Sequence, residues 1–512
     1  MAKDIIYVLD FGSQYSHLIV RRIREQGVFA ELVPANFPLG ELAGAKGIIL
    51  SGGPQNLSES SALRVDKKIF SLGIPVLGIC YGLQLMAYEL GGKIKHSAKH
   101  EYGPAEVVLK KASKVLTGLA KRQPVWMSHG DIVSKVPAGF SIIATSANCP
   151  VAAMANEKKK LYGLQFHPEV MHTKNGGKIL KNFLKITGAK PTWSMKGFAR
   201  QSIIAIQARV GAGRAICAFS GGVDSAVAAT LVHKAIGKRL TCIYVDTGFM
   251  RLNETEQIVK TFKQYQKMNL IVVNAKREFL AKLKGVTDPE KKRKAIGELF
   301  IRIFEKEARK LAKKSKSIKW LVQGTLYTDA ITSGVSVGKT AAVIKSHHNV
   351  GGLPERLGFT LIEPLRELYK DEVREVGRIL GLPEAVVQRQ PFPGPGLAIR
   401  IIGEVTEEKL SLLRQADAIV CEEIENSGVK ADQYYAALPT IRSVGVQGDS
   451  RSYGFPIIVR ALTTTDYMTV HWAFLSHKLL EKISTRITNE VKGINRVVYD
   501  ITSKPPATVE WE

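Results

Sequence analysis

Cysteine is scarce in this sequence, and so are long hydrophobic runs. The five cysteines among 512 residues are odd in number and widely spaced, which argues against a disulfide framework and favours reduced thiols. No apolar run approaches the roughly 20 residues that a membrane-spanning helix needs. The first ten residues also lack the features of a secretory signal peptide. These absences predict a cytoplasmic protein without a membrane segment.

Acidic side chains are few compared with basic ones. The sequence has 46 Asp and Glu against 73 Lys and Arg, a formal net charge of +27, which can attract nucleic acid, acidic membranes or anionic substrates. Much of the excess lies between Lys282 and Lys319, where apolar residues recur at helical spacing with glutamates between them. That pattern favours a solvated amphipathic helix over a nucleic-acid groove, so nucleic acid is not an expected partner.

The chain is too long for one core and divides into three predicted parts, 1–190, 191–390 and 391–512. Segments rich in glycine and proline, at 188–192 and 390–396, mark the boundaries. Apolar strands alternate with helical stretches in the first two parts, which predicts two α/β layers, whereas the third part is mixed. The predicted strands are Ile5–Leu9, Gly47–Leu50, Pro75–Ile79, Tyr162–Phe166, Ala215–Phe219, Thr241–Val245, Leu270–Val273 and Trp320–Gln323.

A glycine-rich hexapeptide, Ser-Gly-Gly-Val-Asp-Ser at 220–225, separates the strand Ala215–Phe219 from a helix-like run, Ala226–Val232. Two glycines let successive backbone N–H groups approach an anion closely, and the start of the helix adds its positive dipole end. The hexapeptide therefore predicts a phosphate-binding loop. It differs from the common nucleotide loop G-x-x-x-x-G-K-[ST], which places a lysine against the phosphates.

Cys80 ends the strand Pro75–Ile79, and a helix-like run, Leu83–Leu90, starts shortly after it. Strand, sharp turn and helix form the usual setting of an enzyme nucleophile, and the start of a helix favours a reactive thiolate. His167 and Glu169 follow a later strand and can share one face of an extended segment. We expect Cys80 to be the nucleophile, His167 its base, and Glu169 the group that orients the imidazole.

A second glycine pair, in Ser-Gly-Gly-Pro at 51–54, follows the strand Gly47–Leu50. Backbone N–H groups at such a turn can stabilise the oxyanion that forms when a thiolate attacks a carboxamide. We expect the oxyanion hole to use the N–H groups of Gly53 and Tyr81.

Three of these motifs resemble those of class I glutamine amidotransferases: Gly-Ile-Cys-Tyr-Gly-Leu-Gln at 78–84, Ser-Gly-Gly-Pro at 51–54, and Phe-His-Pro-Glu at 166–169. The resemblance implies that Cys80, His167 and Glu169 form the catalytic triad of a glutaminase.

The hexapeptide at 220–225 resembles the loop of the ATP pyrophosphatases, which release AMP and pyrophosphate. The resemblance implies that Asp224 faces a magnesium ion held on the ATP phosphates, a cation that prefers carboxylate and phosphate oxygens. The implied ATP-binding residues are Ser220, Gly221, Gly222, Val223, Asp224 and Ser225.

Together, the two sets of motifs resemble the glutamine-hydrolysing GMP synthases over essentially the whole chain. Further matching segments are Val-Asp-Thr-Gly at 245–248, Gln-Gly-Thr-Leu-Tyr at 323–327, Ile-Lys-Ser-His-His-Asn-Val-Gly-Gly at 344–352, Pro-Phe-Pro-Gly-Pro-Gly at 391–396, and Lys-Pro-Pro-Ala-Thr-Val-Glu-Trp-Glu at 504–512.

The resemblance implies an α/β fold: two doubly wound domains, a class I amidotransferase and an adenine-nucleotide α-hydrolase-like ATP pyrophosphatase, followed by a smaller α+β dimerisation domain. The implied reaction converts XMP, ATP, glutamine and water into GMP, AMP, pyrophosphate and glutamate, through a cysteine thioester, an adenyl-XMP intermediate and sheltered transfer of ammonia. Magnesium accompanies ATP, no organic prosthetic group is implied, and the chain is expected to form a homodimer.

The resemblance also assigns nucleotide-binding residues in the second and third parts. Lys345, His347 and His348 correspond to a lid over the nucleotides, and Gly394, Pro395, Lys504 and Glu510 correspond to the XMP site. Lys504 can offer a cation to a phosphate, and Glu510 can offer a carboxylate to purine N–H donors.

Other functional classes fit the residues less well. An amidotransferase that makes NAD or asparagine would share the pyrophosphatase loop, but class II asparagine synthetases expose an amino-terminal cysteine, and this sequence starts Met1-Ala2. A tRNA-thiolating enzyme would use the basic charge, but it needs a sulfur-carrying cysteine beside the loop, and Cys217 and Cys242 lie inside predicted strands. A non-catalytic binding protein would be expected to lose a catalytic group, and none is missing.

Overall fold

The computed structural model describes residues 4–57, 59–314, 318–329, 358–447, 449–464 and 469–512. They form two compact units, Met1–Gly197 and Phe198–Glu512. The predicted lid residues Lys345, His347 and His348 lie outside the described residues. Within the described part of the chain, no helix is both long and apolar enough to cross a membrane.

The first unit is built on a nine-stranded sheet with the order β2-β1-β3-β4-β9-β8-β7-β5-β6. In this spatial order, neighbouring strands are parallel in the part β2-β1-β3-β4-β9 and antiparallel in the part β9-β8-β7-β5-β6. The strands are β1 Ile5–Asp10, β2 Phe29–Pro34, β3 Gly47–Leu50, β4 Val76–Ile79, β5 Lys93–Leu109, β6 Arg122–Lys135, β7 Ser141–Thr145, β8 Ala153–Asn156 and β9 Leu161–Leu164, and the helices are α1 Ser16–Glu25, α2 Leu39–Leu42, α3 Tyr81–Glu89 and α4 Gly176–Thr187.

Burial on both faces explains why four of the five parallel strands, all except β2, could be predicted. Every residue of β3 and β4 is buried, so these strands are short continuous apolar runs, as expected for a parallel sheet that helices cover on both sides. The predicted strands β1, β3, β4 and β9 are confirmed to within two residues. The antiparallel strands β5 and β6 escaped prediction because polar and charged residues alternate along them, a pattern that does not separate a half-exposed strand from a loop.

The described residues of the second unit form two sheets. One is a five-stranded parallel sheet with the order β12-β11-β10-β13-β14, and the other contains β15-β16-β18-β17, with β19 and β20 also paired to β18. The strands are β10 Arg214–Ala218, β11 Leu240–Asp246, β12 Asn269–Asn274, β13 Ile318–Val322, β14 Thr360–Ile362, β15 Ile401–Ile402, β16 Gln433–Pro439, β17 Ser443–Gln447, β18 Ser450–Thr464, β19 Val470–Trp472 and β20 Ile494–Tyr499.

Helices pack against both sheets of the second unit, and the predicted α/β class is confirmed. The predicted strands β10 to β13 are also confirmed to within two residues. The helices are α5 Met195–Val210, α6 Val223–Ile236, α7 Glu254–Ile258, α8 Lys276–Lys282, α9 Pro289–Lys314, α10 Lys370–Ile379, α11 Glu384–Val387, α12 Glu407–Ser427 and α13 His477–Glu490.

The predicted amphipathic helix in the basic region is α9. Its apolar face is buried at Ile296, Ile303, Phe304 and Ala308, while most of its lysines face solvent. Lys292 is an exception: it is buried, its Nζ donates to the Ile401 carbonyl at 2.7 Å, and it pairs with a carboxylate of Glu512.

One hydrophobic core continues across the predicted boundary at residue 390. Ile216 and Phe249 from the parallel sheet and its loops belong to the same buried cluster as Leu397, Leu413 and Ile457. The second and third predicted parts therefore share a core within one compact unit.

Candidate functional site

Cys80 lies on a sharp turn between β4 and α3. Its φ and ψ angles are 52° and −106°, a region that non-glycine residues rarely occupy and that is found at strained functional positions. The turn is tight because glycine backbones touch: a Cβ on Gly78 would lie 2.4 Å from the Gly82 carbonyl oxygen, and one on Gly82 would lie 2.3 Å from the Leu50 carbonyl oxygen. These contacts support the nucleophile turn that the sequence predicts.

The Cys80 sulfur lies in a nearly enclosed polar pocket. Cys80 is only 5% exposed. Its sulfur is 3.4 Å from the Ser128 carbonyl oxygen and 3.7 Å from Nε2 of Gln165. Gln84 donates to the Asp131 carbonyl at 2.8 Å and so ties helix α3 to strand β6. Sequence reasoning did not identify Gln165 or Ser128, because they lie 85 and 48 residues from Cys80 along the chain.

His167 and Glu169 form the buried pair that their spacing predicts. Nδ1 of His167 lies 2.7 Å from Oε1 of Glu169, and the side chains are 4% and 0% exposed. Burial opposes protonation of the imidazole, but the Glu169 carboxylate and a hydrogen bond to Cys80 outweigh it and raise the pKa of His167 to about 11. The structure thus joins Cys80, His167 and Glu169 in one chain of contacts, with the imidazole protonated at neutral pH.

Gly53 and Tyr81 lie side by side near this pocket. A Cβ on Gly53 would be 3.4 Å from Cγ of Tyr81 and 2.7 Å from the Phe11 carbonyl oxygen, so only glycine fits there. Tyr81 is the first residue of α3, where backbone N–H groups have no partner within the helix. The Gly82 N–H donates to the Ser51 carbonyl at 3.1 Å, which fixes the glycine turn beside the nucleophile turn.

The hexapeptide at 220–225 forms a closed loop at the amino end of α6. Gly221 has a φ of +78°, which glycine adopts without strain. The hydroxyl oxygens of Ser220 and Ser225 are 2.9 Å apart, and Ser225 donates to the Gly222 carbonyl at 3.0 Å. Val223 is the first residue of α6, so its N–H group and the next ones point out of the helix end toward the space above the loop.

Asp224 carries the carboxylate of the loop, and it pairs with a lysine that was not predicted from the sequence. Nζ of Lys370, the first residue of α10, lies 2.8 and 2.6 Å from the two Asp224 oxygens. Both side chains remain partly exposed, at 41% for Lys370 and 32% for Asp224. Arg389 also contacts the loop, donating to the Gly221 carbonyl at 2.9 Å. Two cations therefore surround the predicted phosphate-binding loop.

Glu510 is held by a buried arginine. Nε and Nη2 of Arg400 each lie 3.0 Å from one Glu510 oxygen, and Nε2 of Gln433 donates to one of them at 2.8 Å. Arg400 is fully buried, and its cation also lies 5.2 Å from the centre of the Phe392 ring. The structure therefore brings Glu510 close to the proline- and glycine-rich segment at 391–396.

The other predicted XMP residues lie on ordered backbone. Lys504 forms an antiparallel bridge with Val470, with N–H to carbonyl distances of 2.8 and 3.0 Å. Pro395 precedes a short 3-10 helix, Gly396–Arg400. A Cβ on Gly394 would meet no atom within 4 Å, so this residue borders open space.

Three protein-family models match separate parts of the chain. Residues 7–187 match the glutamine amidotransferase class-I family, residues 214–331 match the phosphoadenosine phosphosulfate reductase domain, and residues 422–511 match the GMP synthase C-terminal domain.

Curated relatives match the whole chain. It is 56% identical over 517 residues to the glutamine-hydrolysing GMP synthase of Clostridium botulinum strain Langeland, with all of both chains covered. The enzyme of Clostridium novyi strain NT is 56% identical over 515 residues, covering 100% of this chain and 99% of that one, and the enzyme of Geobacillus kaustophilus strain HTA426 is 55% identical over 517 residues, covering all of both. This chain therefore belongs to the glutamine-hydrolysing GMP synthase family.

Proposed function

We propose that this protein aminates XMP to GMP, using glutamine as the nitrogen donor and cleaving ATP to AMP and pyrophosphate. One observation carries the proposal: a chain matched from end to end by GMP synthases contains both the Cys80–His167–Glu169 arrangement and the loop at 220–225. The first group suits carboxamide cleavage, and the second suits nucleotide binding.

In the first unit, Cys80 attacks the carboxamide carbon of glutamine and forms a thioester. Protonated His167 stabilises the anion on sulfur and can give its proton to the departing ammonia, while Glu169 holds the ring in place. We assign the N–H groups of Gly53 and Tyr81 to the oxyanion. Water then attacks the thioester and releases glutamate, with His167 accepting the proton of the water.

In the second unit, ATP adenylates the C2 oxygen of XMP, and ammonia then displaces AMP. Ammonium has no lone pair to attack with, so ammonia must travel between the sites sheltered from protonation. We assign the ATP phosphates to the N–H groups of the loop at 220–225 and to the cations Lys370 and Arg389.

A magnesium ion fits this loop because Asp224 offers two carboxylate oxygens beside a phosphate-binding backbone. Asp224 would hold the ion together with the ATP phosphates, and the ion supplies neutralisation of the phosphate charge. Lys370, which holds both Asp224 oxygens in this structure, would then turn toward the phosphates.

For XMP we propose Lys504 as the phosphate contact and Glu510 as the purine contact, with Gly394 and Pro395 bordering the nucleotide. Three hydrogen bonds already reach the Glu510 carboxylate, and a carboxylate has about four acceptor positions, so one position remains for a purine N–H. Arg400 limits the carboxylate to one orientation. The lid role of Lys345, His347 and His348 stays part of the same proposal.

We further propose the domain limits 1–190, 191–390 and 391–512, a cytoplasmic location, and a homodimer formed through the last part. Exposed apolar side chains on β17, β18 and β20 support the dimer, because large exposed apolar groups mark interaction surfaces. They are Val444 at 52%, Val446 at 75%, Tyr453 at 64% and Val498 at 43% exposure.

One assay tests the overall function. Purified protein is given XMP, ATP, magnesium and glutamine, and the four products GMP, AMP, pyrophosphate and glutamate are measured together. Equal amounts of all four are expected. Stoichiometric ADP, or glutamate without GMP, would contradict the proposal.

Cys80→Ala should abolish GMP synthesis from glutamine and leave synthesis from added ammonium salts largely intact, because the thiol serves only to release ammonia. Both rates are measured on the same preparation. Cys149→Ala is the matched control, since this buried thiol, whose pKa burial raises to about 12, is not nucleophilic at neutral pH. Equal loss of both activities in Cys80→Ala would assign Cys80 a structural role.

Asp224→Ala should abolish formation of AMP and pyrophosphate with either nitrogen donor, because it removes the proposed magnesium contact and leaves the first unit untouched. Glutaminase activity, followed as glutamate release, reports on the first unit. Asp449→Ala, which removes an exposed carboxylate elsewhere in the second unit, should keep full activity. Wild-type pyrophosphate release by Asp224→Ala would remove this residue from the site.

Lys504→Ala should weaken XMP binding by roughly 1.5–3 kcal/mol, the usual scale for a hydrogen bond to a charged group. Isothermal titration with XMP measures the change. Lys492→Ala removes an exposed lysine from the same region and should bind XMP normally. An unchanged affinity in Lys504→Ala would show that the tail does not contact XMP.

Sedimentation at micromolar concentration should give a homodimer, and Val446→Asp should shift it to monomer, because a charge in an apolar interface is left without a partner. Val272→Asp, on a less exposed edge position of β12, should leave the mass unchanged. A wild-type monomer in the presence of nucleotide would contradict the dimer.

A further inference from the structure

Two histidines of the first unit that are not part of the proposed triad meet on strand β5. Nε2 of His96 and Nε2 of His100 are 3.3 Å apart, and the rings are nearly perpendicular, at 79°. Residues four apart in a regular strand would be separated by about 13 Å. They meet because the pairing of β5 with β6 shifts register between His96 and Glu101, so the intervening residues bulge and bring His100 back toward His96.

An aspartate fixes the orientation of the first ring. Nδ1 of His96 lies 2.9 Å from Oδ1 of Asp131, the residue opposite it on β6. Asp131 is only 11% exposed on its side chain, and its carbonyl accepts the hydrogen bond from Gln84 at 2.8 Å. A carboxylate on Nδ1 keeps that nitrogen protonated and leaves the Nε2 lone pair available, as it does for histidines that bind metals.

Gly130 lies beside both rings. A Cβ on Gly130 would be 3.5 Å from Nε2 of His100 and 3.7 Å from Cε1 of His96, at ordinary van der Waals distance.

The separation of the two nitrogens matches that of two imidazoles bound to one metal ion. Two imidazoles bound to one tetrahedral zinc ion at about 2.0–2.1 Å have their nitrogens about 3.3 Å apart. A hydrogen bond between two neutral imidazoles would also place the nitrogens 3.3 Å apart. Such a bond would not require the largely buried Asp131 carboxylate at Nδ1 of His96. With His96 67% exposed, water can complete the coordination.

We propose that His96 and His100 bind a divalent late first-row transition metal ion through their Nε2 atoms, with Asp131 as the second-shell partner of His96. Zinc, copper, nickel and cobalt suit imidazole ligands. Magnesium and calcium do not, because they prefer oxygen.

A second cluster of possible ligands, Glu101, His129 and Cys149, has its atoms within 4.8 Å of one another. It is a weaker candidate: it is buried, and Ser146 already donates to both Glu101 oxygens, at 2.8 and 3.0 Å. The experiment must therefore separate the two clusters.

Zinc chloride is titrated calorimetrically into the full-length untagged chain carrying Cys80→Ala, which removes the thiol of the proposed nucleophile. One equivalent should bind. His100→Ala should lower the affinity at least tenfold, and Asp131→Asn should lower it about 10- to 100-fold, the usual effect of a second-shell change. His477→Ala removes an exposed histidine of helix α13 and should bind zinc like the parent.

A second experiment uses electron paramagnetic resonance. Cu²⁺ at the site should show coupling to two nitrogens, reduced to one in His100→Ala.

Because His100 is exposed, its variant should fold, and circular dichroism and the thermal midpoint verify this. Parent-like zinc affinity in folded His100→Ala would overturn the proposal. Zinc binding that survives in His100→Ala but disappears in Cys149→Ala would also overturn it, because the ion would then belong to the buried cluster.

Discussion

The arrangement of residues around the proposed XMP site depends on one buried cation, the guanidinium of Arg400. An unpaired charge in a protein interior costs several kcal/mol, so a fully buried arginine requires partners from the surrounding chain. Glu510 accepts two hydrogen bonds from it at 3.0 Å, and the ring of Tyr435 lies 4.1 Å from the cation. These contacts raise the pKa of Arg400 in spite of its burial. The position of residues near 510 is thus set by charge pairing.

A second buried arginine holds the carboxy-terminal segment, residues 502–509, in the same way. Arg460 donates to the backbone carbonyls of Thr502, Thr508 and Val509 at 3.1, 2.6 and 3.1 Å. Chain termini are usually poorly ordered unless other contacts hold them. Here three carbonyl groups accept hydrogen bonds from the planar guanidinium of Arg460. The bridge between Lys504 and Val470 is held within this frame, which is why a segment with few buried apolar side chains can still present a lysine in a defined position.

The sequence allowed prediction of the groups that are contiguous or that follow buried parallel strands. His167 and Glu169 are two residues apart, and the loop at 220–225 is a single segment, so local geometry is enough to place them. The contacts of Lys370 with Asp224 and of Arg400 with Glu510 join residues separated by 146 and 110 positions. No periodicity or spacing encodes such pairs, because they depend on how helices pack around the sheets.

The raised pKa of His167 bears on the role of base that the sequence predicts for this residue. A histidine beside a thiol is predicted to act as a base, because a free imidazole is mostly neutral at pH 7. Burial lowers the pKa of His167, but the Glu169 carboxylate, 2.7 Å away, and a hydrogen bond to Cys80 outweigh that effect and raise the pKa to about 11. In the proposed reaction, a protonated imidazole would first give its proton to the departing ammonia. It would act as a base only afterwards, when water attacks the thioester.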